Sequence, residues 1–356
     1  MRTIFFETVA GHWLTIQGLI ATAGLFIYLT TSHTLHLRRH PSAALVWVAA
    51  LALLPYFALP LYLIFGIRKV GSFHPSAPSR YELATQEPIA ETLSAQTQRL
   101  ATVMALPPAS SYTQLNIHTD GSRALQALRS MIDSAASSID LSTFVFGRDG
   151  LGDELALHLK KRAREGIKVR LLVDGIGAYL GGLTDFKGLS AAGIQVVFFV
   201  PPLRSSLRGR TNLRNHRKMV VADGEWLWCG GRNLATEYFE GDATSASGKV
   251  PWTDLSFDLH GALARQAQQR FEQDWLFATR GILRDLRGPL GEDSPSGSSM
   301  GQLIASGPDQ MDDTIYTILV SGFFNARKSI LAVTPYFVPN TALLMSMTLA
   351  PGGECH

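Results

Sequence analysis

Two apolar stretches without a charge stand near the start of the chain, over residues 13–29 and 43–67. A helix needs about 20 apolar residues to cross the hydrocarbon core of a bilayer. The second stretch is long enough, and the first reaches that length with its polar flanks. Residues 36–41, with Arg38 and Arg39, form a polar turn between them. The pattern predicts a two-helix transmembrane hairpin within residues 1–69. Pro55 and Pro60 interrupt the second stretch, which membrane helices tolerate when the freed carbonyls find partners. A cleaved signal peptide would explain the first stretch alone, but no small-residue cleavage site follows it and a second apolar stretch comes at once. Arg2, Arg68 and Lys69 lie opposite the turn, so the charge bias leans toward both ends being cytoplasmic.

Residues 70–112 are polar and rich in Ser, Pro, Thr and Gln, the composition of a linker with a short helix at most. A globular pattern follows over 113–283. Residues 114–117 read as a short strand. Asp120 or Ser122 caps a helix with Leu125, Leu128, Ile132 and Ala135 at helical spacing. Residues 139–146, 168–174 and 193–200 read as strands, with an amphipathic helix over 150–166. Strands alternating with helices predict an α/β domain with a mixed, largely parallel sheet flanked by helices. Residues 284–300, rich in Gly, Pro and Ser, read as a second linker, after which the pattern restarts over 301–356. Residues 302–305 resemble the first strand, 312–328 read as a helix, and 329–337 resemble 138–146. One constant offset relates Leu128 to Leu319, Ala135 to Ala326 and Ser138-Ile139 to Ser329-Ile330, the mark of a duplicated domain of which 301–356 is the incomplete start.

Composition agrees with a membrane context. Of the 356 residues 46% are apolar and 17% charged, against roughly 25% charged in soluble chains. A net charge of +3 does not by itself imply nucleic acid. Cys229 and Cys355 are too few for a disulfide framework and lack zinc-site spacing. An arginine run (204, 208, 210, 214 and 217) reads either as a solvated loop or as an attractor of anionic headgroups.

The chemistry concentrates in residues 215–233. His216 and Lys218 share one face of an extended strand, with Arg217 on the other. Asp223-Gly224 has hairpin-turn composition, and 225–229 returns as the next strand. Gly230 and Gly231 leave backbone open to a ligand, and Asn233 follows as a side-chain donor. An imidazole can attack phosphorus and form a covalent phosphoenzyme, while a neighbouring lysine neutralises the phosphoryl oxygens. No carboxylate or histidine cluster suggests a metal, and no cofactor is expected.

The spacing His-x-Lys-x4-Asp-x6-Gly-Gly-x-Asn is that of the phospholipase D superfamily. The chain resembles bacterial cardiolipin synthases in particular, through residues 60–66, 213–219, Trp252-Thr-Asp254 with Gly261, 304–308 and 334–339. The resemblance runs in order over nearly the whole chain. It implies His216 as nucleophile and Lys218, Gly230, Gly231 and Asn233 as phosphate binders. Asp223 belongs to the catalytic motif but supports fold and site rather than moving protons. Asp254 is the candidate acid that orients the histidine. The implied reaction joins two phosphatidylglycerol molecules and releases glycerol, at the bacterial inner membrane, with the catalytic domain cytoplasmic and anionic lipids rather than nucleic acid as partners.

Family members pair two such motifs, one histidine attacking and the other protonating the leaving oxygen. The constant offset carried past His216 falls beyond His356, and no second motif follows Asn233. The expectation is a truncated or frameshifted copy, inactive as a monomer unless a homodimer pairs two copies of His216. Another membrane phosphodiesterase of the superfamily and a non-catalytic fragment are the alternative readings.

Overall fold

A computed structural model describes residues 2–34, 41–66, 92–104, 106–182, 184–201, 214–239, 252–280, 299–307, 314–334 and 337–349. The polar turn at 36–40, the linker portions 70–91 and 284–298, Arg204, Arg208, Arg210 and residues 350–356 lie outside these.

The N-terminal segment is helical: α1 (Arg2–Thr34), α2 (Pro41–Leu53) and α3 (Pro55–Phe65). One helix among the described residues is long and apolar enough to cross a membrane, over Thr15–Ser32. The second apolar stretch, expected as a single spanning helix, is two short helices broken at Leu54 (φ −130°, ψ 52°), with Pro55 opening the second. Proline at the first helical position removes a donor that would have no partner there, but it cannot continue a helix from the residue before it. The three helices pack around Tyr28, Leu51, Ala58 and Tyr62. The Thr31 hydroxyl lies 2.5 Å from that of Tyr62, which satisfies a polar pair inside an otherwise apolar contact.

After α4 (Leu93–Val103) come β1 (Ser110–His118), α5 (Gly121–Ser134), β2 (Ser138–Thr143), α6 (Gly150–Arg164), β3 (Lys168–Asp174), α7 (Gly175–Leu180), α8 (Phe186–Ala191), β4 (Gln195–Phe199), β5 (Met219–Ala222), β6 (Trp226–Gly230), β7 (Ser256–His260), α9 (Ala262–Arg280), β8 (Ser299–Gly301), α10 (Thr314–Asn325) and α11 (Thr341–Thr348). The strands form one sheet in the order β4-β3-β2-β5-β6-β7-β1-β8. It is mixed, as expected, but not largely parallel. Among the described strands β2–β3 and β3–β4 pair parallel and the other five pairs are antiparallel. Helical crossovers, which parallel neighbours require, join only β2, β3 and β4. β5 and β6 are instead joined by a short hairpin loop over residues 223–225.

One core cluster lies between the sheet and α5 and α6, around Leu128, Ile139, Leu171 and Trp228. The other lies under α9, around Leu172, Val221, Leu259 and Phe271. The Asp120 carboxylate caps α5 through the amide of Arg123.

The start of the expected second repeat is arranged differently from its sequence pattern. Residues 302–306 are not a strand; the preceding Ser299–Gly301 is, and it pairs antiparallel with β1 at the edge of the first sheet. Residues 329–334 form no strand either. Leu331 and Val333 are almost fully exposed, because no strand lies beside them among the described residues, and an alternating pattern forms a ladder only when a partner supplies the hydrogen bonds.

Candidate active site

The His-Lys segment enters the sheet just before β5, and its alternation decides which side chain does what. Asn215 and Arg217 turn inward to α9. Asn215 Nδ2 donates to Asp274 Oδ2 (3.2 Å), and Arg217 Nη1 donates to both Asp274 oxygens (2.9 Å each). Arg270, one helical turn before Asp274, donates to its Oδ1 at 2.5 Å. Asp274 is fully buried, a position a carboxylate holds only when its charge is met. The backbone amide of Asn215 donates to Asp174 Oδ2 (2.9 Å) at the end of β3. Two buried carboxylates therefore pin the segment from either side. Arg217 Nη2 also donates to the carbonyl of Ser306 (2.8 Å), which ties the chain beyond β8 to the same hub. Arg214 pairs with Asp174, so the two described members of the arginine run serve the interior rather than a free basic surface.

With Asn215 and Arg217 held below, His216 and Lys218 project to the other side. The His216 imidazole stacks on the Phe144 ring with centroids 4.0 Å apart and planes 15° apart. Lys218 Nζ lies 5.5 Å from the centroid of the same ring and donates to the His216 carbonyl at 2.8 Å. Burial and then the Lys218 charge hold the His216 pKa below its ordinary 6.5; Asp174 opposes this and Arg214 adds to it. Burial pushes the Lys218 ammonium down to about 8, against the fields of Asp254, Asp174 and Cys229. Both shifts favour a neutral imidazole beside a lysine that is still charged at neutral pH.

Several expected site residues lie elsewhere or work differently. Asp223 sits at the opposite end of β5; at about 3.3 Å per residue it is roughly 20 Å from His216. With φ of 54° at Asp223 and 72° at Gly224, the turn is of type I′, whose backbone twist matches that of the two strands. The Asp223 carboxylate accepts from the amides of Ala136, Ser137 and Ser138 and from the Ser137 hydroxyl at 2.7–2.9 Å. Partial burial would raise its pKa, but these donors outweigh burial and hold it below the usual range.

Gly230 and Gly231 do not present free amides. The Gly230 amide donates to the Lys218 carbonyl and that of Gly231 to Leu255. A Cβ at Gly230 would fall 2.4 Å from the Leu255 carbonyl, and one at Gly231 would fall 2.2 Å from the Asp254 carboxylate. Glycine at both positions thus admits the chain entering β7.

The Asp254 charge acts on Lys218. Asp254 Oδ1 accepts from the Leu255 amide at 2.6 Å, and no hydrogen bond joins it to the His216 ring among the described residues. Asn233 uses its Oδ1 to accept from the Val145 amide (3.1 Å), beside Phe144. Among the described residues no group of three or more His, Cys, Asp or Glu side chains could hold a metal ion.

Sequence reasoning missed Phe144, Asp174 and Asp274. Asp274 left one trace: with Arg270 it breaks the apolar face that Ala267, Phe271 and Phe277 mark along 262–280. Phe144 left none, because its partner lies far along the chain.

The comparisons with known proteins bear on this arrangement of a mixed sheet, an inward Asn215-Arg217 anchor and an outward His216-Lys218 pair. Residues 128–275 match the family described as the phospholipase D-like domain of cardiolipin synthase, and residues 20–66 match the phospholipase D-nuclease N-terminal family. The chain thus carries a phospholipase D-like domain over residues 128–275.

Its curated relatives are more particular. A cardiolipin synthase 1 of Bacillus anthracis is 30% identical over 334 residues, covering 88% of this chain and 64% of that protein. A cardiolipin synthase of Halalkalibacterium halodurans is 31% identical, with coverages of 88% and 64%. A cardiolipin synthase A of Pseudomonas putida is 28% identical, with coverages of 94% and 71%. The chain thus spans just under two thirds of the length of the Bacillus relative.

Proposed function

We propose that this chain carries the nucleophilic half of a cardiolipin synthase, moving a phosphatidyl group from one phosphatidylglycerol to another with release of glycerol. The observation that carries the reading is the seating of His216 and Lys218 together on the Phe144 ring, at 4.0 and 5.5 Å from its centroid. A ring nitrogen of His216 donates its lone pair to phosphorus and forms an N–P bond as the P–O bond to the leaving glycerol breaks. Lys218 balances charge on the non-bridging oxygens. The leaving oxygen takes its proton from a second histidine on another motif-bearing unit, in a longer chain or in a second copy of this one. That histidine then removes the proton from the hydroxyl of the incoming phosphatidylglycerol, whose oxygen displaces His216. Asp223, Gly230 and Gly231 act by holding strands, and Asp254 by its charge on Lys218.

The apolar N-terminal helix, together with α2 and α3 as a membrane hairpin, keeps the site at the surface where such lipids reside. The enzyme works at the bacterial inner membrane with its catalytic domain on the cytoplasmic side.

The test uses the full chain in detergent with phosphate-labelled phosphatidylglycerol, its mass followed by light scattering. Cardiolipin and an acid-labile label on His216 are expected in the fraction where two motif-bearing units meet, and excess His216→Ala subunits should suppress both. Robust turnover by a strict monomer, or a label retained in His216→Ala, would refute the reading.

A further inference from the structure

We propose that Phe144 is a positioning residue for the nucleophile: its ring is the platform that sets the plane of His216, and Asn233 holds that platform in place. The inference rests on the reading of His216 as nucleophile.

A nucleophilic imidazole is commonly oriented by a carboxylate on its second nitrogen. Among the described residues no carboxylate is bonded to the His216 ring. Asp174, whose charge reaches it, has its oxygens engaged by the amides of Ile176, Gly177 and Asn215 and by Arg214. What does lie against the imidazole is the Phe144 ring, nearly parallel at 4.0 Å. A face-on contact at that distance restricts rotation of the imidazole plane while leaving both ring nitrogens open, one for phosphorus and one for a proton. The same ring lies under Lys218 Nζ, so a single side chain sets the spacing of both groups.

The platform is itself fixed from two directions. A Cβ at Gly177 would fall 1.7 Å from the Phe144 carbonyl oxygen and 3.2 Å from its ring; glycine there lets the start of α7 close against Phe144. On the other side, the next residue, Val145, is clamped at both backbone groups. Its amide donates to Asn233 Oδ1 (3.1 Å), and its carbonyl accepts from the Leu234 amide (3.1 Å) and the Thr143 hydroxyl (2.8 Å). The motif asparagine therefore reaches the nucleophile through Val145 and Phe144.

The experiment compares Phe144→Leu, which keeps apolar bulk and removes the flat face, with Phe144→Tyr, which keeps the face. Thermal melting first establishes that both variants fold. Misplacing a nucleophile by about 1 Å costs up to about 100-fold in rate. Phe144→Leu is therefore expected to lower kcat about 10- to 100-fold with KM within about twofold, and Phe144→Tyr to restore it to within about threefold. A second readout needs no substrate. In histidine-labelled protein, with His216 assigned by its loss in His216→Gln, the ring protons should shift upfield through the Phe144 ring current in wild type and Phe144→Tyr, and lose that shift in Phe144→Leu. Wild-type kcat in Phe144→Leu, equal impairment of both variants, or no upfield shift in wild type would overturn the platform. If wild type turns over no phosphatidylglycerol, the lipid reading fails, and the ring-current result still decides the positioning role.

Discussion

Replacing Asp223 by Asn removes a carboxylate that the catalytic motif contains but the active site does not touch. The substitution is suited to the question because asparagine tolerates the positive φ of 54° found there. The backbone turn is then not strained, and only the charge and one acceptor are lost. In the wild type, Oδ1 accepts from the Ser137 amide, the Ser137 hydroxyl and the Ser138 amide, and Oδ2 from the Ala136 amide. Hydrogen bonds to a charged group contribute about 1.5–3 kcal/mol each, against about 0.5–1.5 for neutral ones. The amide would place its NH2 opposite the Ala136 donor and reduce the other three contacts to neutral bonds. Allowing for relaxation and for partial exposure, the expected loss is about 3 kcal/mol, or roughly 6–12 °C in Tm for a domain of this size. The assay is thermal and urea unfolding of both proteins, with turnover measured per folded molecule. Because the folded pKa is depressed, the carboxylate contributes its full stability above the unfolded value near about 4 and loses it as pH falls through the folded value. The gap between the two proteins should therefore be widest at neutral pH and close in strong acid. An unchanged Tm with turnover per folded molecule down by more than about 100-fold would refute this reasoning and place Asp223 in the chemistry.

Two further outcomes follow from the same geometry. The pH profile of kcat/KM should be bell-shaped, because His216 must be neutral and Lys218 charged: activity falls as pH drops through a His216 value below 6.5 and as it rises through about 8 for Lys218. Lys218→Arg should shift the alkaline limb, and a limb that stays in place in that variant would assign it to another group, such as the proton-donating second histidine. Gly230→Ala should cost about 1–3 kcal/mol in urea unfolding, since its Cβ would fall 2.4 Å from the Leu255 carbonyl and 2.7 Å from Ser256 Cα. Gly150→Ala, with nothing within 4 Å, is the control, and equal stability of the two variants would contradict the packing described for β6 and β7.

Where a property depends on neighbours in the chain, it was legible in the sequence. His216 and Lys218 share a side because extended backbone repeats every second residue, even just ahead of β5, and Asp223-Gly224 closes a hairpin because that pair adopts two positive φ angles cheaply. The cap and apolar face of α5, the amphipathic pattern of α6 and the apolar character of residues 15–32 are local in the same sense. Properties that arise between distant segments were not legible. The direction of most strand pairs depended on which connections were crossovers, and a break at Leu54 turned one apolar stretch into two helices. The space beside Gly230 and Gly231, which composition alone would leave for a ligand, is filled by residues 254–256. The buried Asp274 beneath Arg217 and the Phe144 ring beneath His216 exist only once α9 and the end of β2 have packed against the β5 strand. A linear sequence states which groups can do chemistry. Their distances, burial and charge neighbours are set by side chains that the fold alone brings together.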